Sequence, residues 1–535
     1  MTIYLLVAAI VIIICVMFNR LSSKVGVPTL LLFIVLGMIF GTDGLFKIQF
    51  ADFVFAENVS TIALIYIMFY GGFGTRLSEA RPIAIKSILL STAGVILTAG
   101  LTGLFCHYVL RFELFQSLLI GSIICSTDAA SVFSILRSKK LNLKFNTASI
   151  LEVESGSNDP IAYMLTIIIL SLMKGNVSGS HIAYLVFAEI VYGALIGIAV
   201  GFAGAFVLSR FKFVTEGLDA SFLFAVVMVS YALPTLFHGN GYLSVYIAGM
   251  IMGNAHIRNK ASLVHFFDGI TGLMQMLIFF LMGLLAFPSH MPQIVLPALA
   301  IALFLTFIAR PIAVFLTLAP TGCGIRQMGL LSFAGLRGAA SIVFAMIAIV
   351  DSPWLGNSVF HITLFIIMFS IAFQGTLLPW MSEKLQMIDE SADVLRTFND
   401  YVEKTDVQFI KLGITDNSPW VNRELREIVF PPEMLVVMIV RDKEIIVPSG
   451  KTKFEEGDVA ILGAPTFNDQ TTLHLVELKI NEGNEWIGKK ISEYSPDPDQ
   501  IVIMIKRDDH IIIPKGKTVI EKDDILVMNY VAVYK

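Results

Sequence analysis

Charge is scarce along most of this 535-residue chain. Residues 1–381 hold 19 Lys and Arg against 14 Asp and Glu, and the remaining residues hold 19 against 28. A net of +5 in the first stretch and −9 in the second gives the overall −4. With 56% hydrophobic residues and a mean hydropathy of +0.77, a single soluble globule is excluded, because it could not hide so much apolar surface. Cysteine is also rare. Cys15, Cys106, Cys125 and Cys323 show no paired spacing, which excludes a disulfide framework or a zinc site. No basic residue precedes the first apolar run, "MTIYLLVAAIVIIICVMF", so a retained helix is expected rather than a cleaved signal peptide. No G-x-x-x-x-G-K-[ST] string occurs, which excludes a phosphate loop for nucleotide hydrolysis. A Gly-rich dinucleotide fingerprint is missing as well.

What is present is a series of apolar windows long enough to cross about 30 Å of hydrocarbon. Thirteen are expected, at 2–18, 27–41, 59–74, 86–109, 113–137, 147–173, 182–209, 219–237, 241–254, 264–287, 293–318, 327–350 and 357–380. With the N-terminus outside, fourteen Lys and Arg fall in inner loops and only Lys47, Arg111 and Lys174 in outer ones. That asymmetry is the positive-inside pattern, and an odd helix number leaves the acidic tail cytoplasmic.

Ionisable groups well inside the spans are Asp128, Glu154, Asp159, Glu189, Arg310 and Arg337. Each costs several kcal/mol unless paired or hydrated, so each is a functional candidate. Glu189, in "LVFAEIVYG", reads as a helix–helix hydrogen bond or an interfacial group, and Arg310, before Pro311, as structural support or function. In the fifth span, Ser126, Thr127 and Asp128 interrupt "LLIGSIICSTDAASVFSIL", which suits an opened backbone or a hydrated cavity. In the sixth, "ESGSNDP" sets Ser155 and Asp159 four residues apart on one helical face, with Glu154 turned elsewhere. In the twelfth, Gly335 and Gly338 flank Arg337, the pattern of a discontinuous helix. Two interrupted helices in corresponding halves point to an inverted-repeat transporter with a midplane site.

The strings "STDAA", "ESGSNDP" and "GLRGAAS", in this order, resemble the NhaP-type monovalent cation:proton antiporters over about residues 1–385. The resemblance implies an NhaA/NhaP-like polytopic α-helical fold of 13 transmembrane helices with inverted repeats, in a homodimer whose six-helix core moves against a dimerisation bundle. It implies that Asp159 binds the cation or a proton, with Asn158 beside it, Ser155 and Thr127 adding oxygen ligands, and Asp128 shaping the crossing of the opened helices. It also implies a structural ion pair between Glu154 and Arg337. Two positions depart from the pattern. Ala129 stands where a proline is usual, and Tyr70 where many relatives carry an acid. Tyr70 and Arg310 are thus supporting candidates.

The acidic tail is a tandem duplication. Residues 434–463 and 500–529 match at an offset of 66 without gaps, with Trp420 and Trp486 on the same offset. Alternating β-branched runs around P-x-G-K-T turns predict two small α+β modules with hairpins. The G-K-T strings at 450–452 and 516–518 follow a proline and lack upstream glycines, which reads as a β-turn and not a phosphate loop. The modules resemble TrkA-C (RCK-C) domains over about 405–465 and 473–535, leaving 386–404 as a linker. That resemblance implies a regulatory role and a small ligand, a cyclic dinucleotide being one such class. The acidic charge gives no support to nucleic-acid binding.

The expected function is electroneutral K+/H+ exchange in a bacterial inner membrane, with cation and proton competing for Asp159 in alternating access. No catalytic chemistry and no cofactor is expected, only the transported ions and the regulatory ligand, with lipid and a second protomer as partners. Na+/H+ exchange by the same fold is the alternative. A gated K+ channel with such modules is a different class, and "GNGYLS" at 239–244 is a poor match to the selectivity filter it would need.

Overall fold

The computed structural model divides the chain into two compact units, Met1–Val402 and Glu403–Lys535. It describes residues 9–17, 28–139, 141–175, 178–211, 217–257, 260–389, 407–415, 418–431, 434–441, 444–465, 474–480, 484, 486–493, 500–507, 510–512 and 514–530.

The first unit is helical. In order it contains α1 (residues 9–17), α2 (Thr29–Phe40), α3 (Phe53–Gly74), α4 (Arg81–Tyr108), α5 (Leu114–Ile124), α6 (Ala129–Ser138), α7 (Thr147–Met173) and α8 (Gly179–Arg210). There follow α9 (Leu218–Leu236), α10 (Gly241–Asn254), α11 (Lys260–Leu284), α12 (Ile294–Thr321), α13 (Ile325–Phe333), α14 (Ala339–Asp351) and α15 (Ser358–Lys384). Among the described residues, eight helices are long and apolar enough to cross a membrane, and a ninth span arises if α5 and α6, bent by 40°, count as one. The apolar helices α2 and α14 are shorter.

Side-chain size decides which face of a helix turns inward. On α8, Gly193, Gly197, Gly201 and Gly204 are buried while Leu195, Phe202 and Phe206 are exposed. A Cβ at Gly197 would strike the backbone of Ser244 on α10, so the two helices approach as closely as glycine allows. Packing of this kind, with large apolar groups pointing away from the protein, suits hydrocarbon surroundings. Among the described residues, three helices contain a π-turn: Leu90–Gly94 in α4, Leu305–Ala309 in α12 and Ser370–Gln374 in α15. A π-turn re-aims the residues beside it, and two of these feed the site described below.

The second unit holds two four-stranded sheets. One has the order β1-β4-β2-β3, with β1 Val407–Gly413, β2 Leu435–Arg441, β3 Glu444–Ile446 and β4 Val459–Pro465. The other has the order β5-β8-β6-β7, with β5 His474–Lys479, β6 Gln500–Arg507, β7 His510–Ile512 and β8 Ile525–Tyr530. The named strands all pair antiparallel, and the register shift at Val436/Met438 recurs at Val502/Met504, 66 residues on. The expected α+β character differs in one respect. Among the described residues of this unit the only helices are the single 3-10 turns Leu425–Glu427 and Ile491–Glu493. Pro419 and Pro431 bracket the first of these and leave little room for more.

Each sheet is pinned by one arginine. Arg441 Nε and Nη2 donate to buried Asp458 at 2.7 and 2.9 Å, and Arg507 donates to buried Asp524 at 2.7 Å through both nitrogens. Burial, the largest single influence, would raise the Asp458 carboxyl, but the Arg441 hydrogen bonds, the Glu455 N–H and the Arg441 charge together outweigh it and hold the group below the usual carboxylate range. The G-K-T strings are turns: Thr452 N donates to Ser449 O at 2.9 Å, and Thr518 N to Lys515 O at 2.8 Å.

Candidate functional site at two broken helices

The fifth and twelfth expected spans are both interrupted, and the interruptions meet. Between α5 and α6 the backbone leaves the helix at 125–128, and between α13 and α14 at 334–338. Asp128 N donates to Leu336 O at 2.8 Å, which joins the two breaks. Four helix ends therefore converge inside the unit, and each has backbone groups that its own helix cannot satisfy.

Side chains supply what is missing. The Asp128 carboxylate accepts from Ala130 N at 3.0 Å, Ser131 N at 3.4 Å and Ser131 Oγ at 2.5 Å, and so caps the N-terminus of α6. Gly338 is the N-cap of α14, and a Cβ there would collide with the Asp128 carboxylate; one acid thus faces the positive ends of two helices. Arg337, 1% exposed, donates from Nη1 to the Cys125 and Ser126 carbonyls at 2.7 and 2.6 Å, at the negative end of α5. The π-turn in α15 serves α13: Gln374 Nε2 donates to Phe333 O at 3.1 Å, and Ser370 Oγ accepts from Arg337 N at 3.1 Å.

This corrects the expected Glu154–Arg337 ion pair. The partner of Glu154 is Arg310, Nη2 to Oε1 at 2.5 Å, with side chains 2% and 0% exposed. Arg310 directly follows the π-turn of α12, while the guanidinium of Arg337 is committed to the carbonyls that the break in α5 leaves open. Neither member of the Glu154–Arg310 pair makes an aligned hydrogen bond, so proximity of charge holds it together.

The helix α7 runs unbroken through Pro160 and presents "ESGSNDP" to this crossing. Ser126 Oγ donates to Asp159 Oδ1. Ser155 Oγ accepts from Ala129 N at 2.9 Å and donates to Thr127 O at 2.8 Å, so its hydroxyl braces the opened strand. Asn158 Nδ2 donates to Thr127 Oγ1 at 2.6 Å, and its buried Oδ1 has no hydrogen-bond partner. Asp159, Ser126, Thr127, Asp128 and Ser155 line a cavity of about 450 Å³, whose other walls include Tyr70 on α3, Glu152 on α7 and Asp268 on α11. Glu189 lies apart, buried, at a contact between helices, where Asn240 N at the start of α10 donates to the Glu189 carbonyl at 3.2 Å.

Sequence reasoning did not single out Ser126 as the partner of Asp159, nor Glu152 or Asp268 as cavity groups. Ser126 lies 33 residues from Asp159, beyond any helical spacing rule. Asp268 was legible in principle, as an acid within the apolar window "LVHFFDGITGLMQM".

Comparison with known proteins decides what this crossing belongs to. The transmembrane family of sodium/hydrogen exchangers matches residues 6–384, and the TrkA-C domain matches 412–465 and 475–528. The chain belongs to the sodium/hydrogen exchanger family. It is therefore a multi-pass membrane protein of the cation:proton antiporter class. The K(+)/H(+) antiporter NhaP of Alkalimonas amylolytica is 33% identical over 86% of this chain and 80% of its own length. The K(+)/H(+) antiporter NhaP2 of Shewanella sp. (strain MR-4) is 30% identical over 86% and 81%. The solved structure of the sodium proton antiporter MjNhaP1 from Methanocaldococcus jannaschii has the same fold. Its TM-score is 0.63 at 22% identity, covering 70% of this chain and all of that one.

Proposed function

We propose that this exchanger carries K+ against H+ across a bacterial inner membrane by alternating access, one for one, with both ions competing for Asp159. The observation that carries the reading is the isolation of that carboxylate. Glu154 is matched by Arg310, Asp128 by helix N-termini and Arg337 by carbonyls, whereas among the described residues no basic side chain pairs with Asp159. At the crossing itself, apart from Glu152 and Asp268 on the cavity walls, Arg310 and Arg337 oppose Glu154, Asp128 and Asp159, which leaves one negative charge. One proton or one monovalent cation neutralises it, and a neutral site is the form that can cross a low-dielectric barrier.

Two relatives named as K(+)/H(+) antiporters favour potassium, while the archaeal structural neighbour, named a sodium proton antiporter, supports Na+/H+ exchange as the second reading. Thr127 and Asn158 complete the shell around the ion, with Asn158 Oδ1 buried and free to turn to it. Ser155 holds the opened strand, and Ser126 provides the hydroxyl on Asp159. Thirteen passes, with the N-terminus outside and the tail inside, are supported by the excess of basic residues in the expected inner loops. A homodimer and a small ligand on the TrkA-C domains, of the cyclic-dinucleotide class, complete the reading.

Dequenching of a pH-sensitive dye in inverted vesicles on adding K+, Na+ or Li+ tests it. Exchange by the native chain that disappears in Asp159→Asn is the expected result; wild-type exchange in that variant refutes the site. A rate that responds to collapse of the membrane potential refutes electroneutrality, and an unchanged rate after truncation near residue 390 refutes regulation by the tail.

A further inference from the structure

The part of the cavity wall built by α3 and α11 has a contact that the exchange site does not use. The phenol of Tyr70 donates to Asp268 Oδ1 at 3.2 Å, and both side chains line the 450 Å³ cavity that contains Asp159. Tyr70 is buried and Asp268 is exposed, so a carboxylate in contact with solvent is oriented by a fixed hydroxyl. A cation in this cavity therefore shares it with the Asp268 carboxylate as well as with Asp159. A low-dielectric cleft lined by one sign of charge raises the local concentration of its counter-ion.

We propose that Asp268 is an affinity-determining residue for the transported monovalent cation, drawing it into the cavity, and that Tyr70 is its positioning residue. The inference rests on the antiport reading. Asp268 takes no part in neutralising Asp159; it sets how much cation is needed to compete there. Its removal should therefore act on the cation KM and leave the turnover of the saturated site alone.

The test is the cation dependence of dye dequenching in inverted vesicles at fixed pH, titrating KCl or NaCl with choline chloride to hold ionic strength. Asp268→Asn should raise the apparent KM about threefold to tenfold with kcat within about twofold of native, the size expected when one focusing charge is lost. Asp268→Glu should keep the native KM, and Tyr70→Phe should raise it less than Asp268→Asn does. Moving the charge, with Tyr70→Asp in the Asp268→Asn background, should bring KM back down. An unchanged KM in Asp268→Asn, a fall in kcat alone, or a relocated charge that leaves KM high overturns the proposal. These outcomes are separable from failure of the antiport reading, which would appear as exchange surviving Asp159→Asn.

Discussion

The Glu154–Arg310 pair gives the sharpest quantitative test of how this crossing is held together. Both side chains are essentially without solvent and meet at 2.5 Å. Removing one member strands a full charge in the interior, which costs about 3–5 kcal/mol, whereas removing both restores neutrality and is often close to neutral for stability. Total stability of a folded domain is only about 5–15 kcal/mol, so each single variant should be severely destabilised. Glu154→Gln and Arg310→Gln should each cut the yield of monodisperse protein and lower its melting temperature in detergent. Glu154→Gln/Arg310→Gln should recover most of the loss, with a coupling of about 2 kcal/mol or more. The control cycle pairs Glu154→Gln with Arg337→Gln. Arg337 answers carbonyls and not the glutamate, so its removal should add to the damage. Melting curves by fluorescence-detected size exclusion read all five variants. If the Arg337 cycle rescues and the Arg310 cycle does not, the assignment of the pair is wrong.

Ser126 and Ser155 should separate in the same assays. Ser126→Ala removes the hydroxyl on Asp159 and should change the cation KM with folding intact, while Ser155→Ala leaves the Ala129 N–H without its acceptor and should cost about 1–3 kcal/mol of stability. Gly338→Ala should abolish dye dequenching, because the added methyl meets the carboxylate of Asp128 at the joint between the breaks. In the first TrkA-C domain, a carboxyl held below its ordinary value of 3.8 stabilises the fold fully above that value and loses the contribution as pH falls through it. With Trp354, Trp380 and Trp486 replaced by Phe, the fluorescence of Trp420 in the full chain should report weakening between about pH 5 and pH 3. Arg441→Gln should remove that acid-dependent part, and an unchanged acid profile in this variant would refute the role of the ion pair.

Much of this was legible in the chain, and what was not has a common cause. The interruptions at Ser126–Asp128 and around Arg337 stood out because polar groups and glycine break an apolar run locally. The offset of 66 residues reappears down to the register shift in each sheet, since strand alternation is also a local property. Partner choice is not local. Glu154 had two arginines available at comparable distance along the chain, and the decision fell to the π-turn before Arg310 and to the open carbonyls at Cys125 and Ser126. Helical spacing rightly set Ser155 beside Asp159 on one face, yet the hydroxyl is taken by Thr127 and Ala129, and the bond to Asp159 comes from another helix.

Two broken helices give a membrane protein something that two intact ones do not. Intact helices would satisfy their own backbone and offer an ion only side chains. Breaking them exposes helix ends, which must be answered, and here the answers are charged: Arg337 for one pair of carbonyls and Asp128 for the N-termini. Once those charges are fixed by the backbone they cannot follow an ion, and Glu154 is fixed by Arg310. Asp159 is left with a single hydroxyl bond from the opened strand. A carboxylate so lightly held, among groups that are all spoken for, is the one member of the crossing whose charge can change during a cycle without dismantling the fold. On the proposed function, exchange of one ion for one proton would follow from this architecture, and the proposal fails if Asp128 rather than Asp159 proves to be the group that titrates with transport.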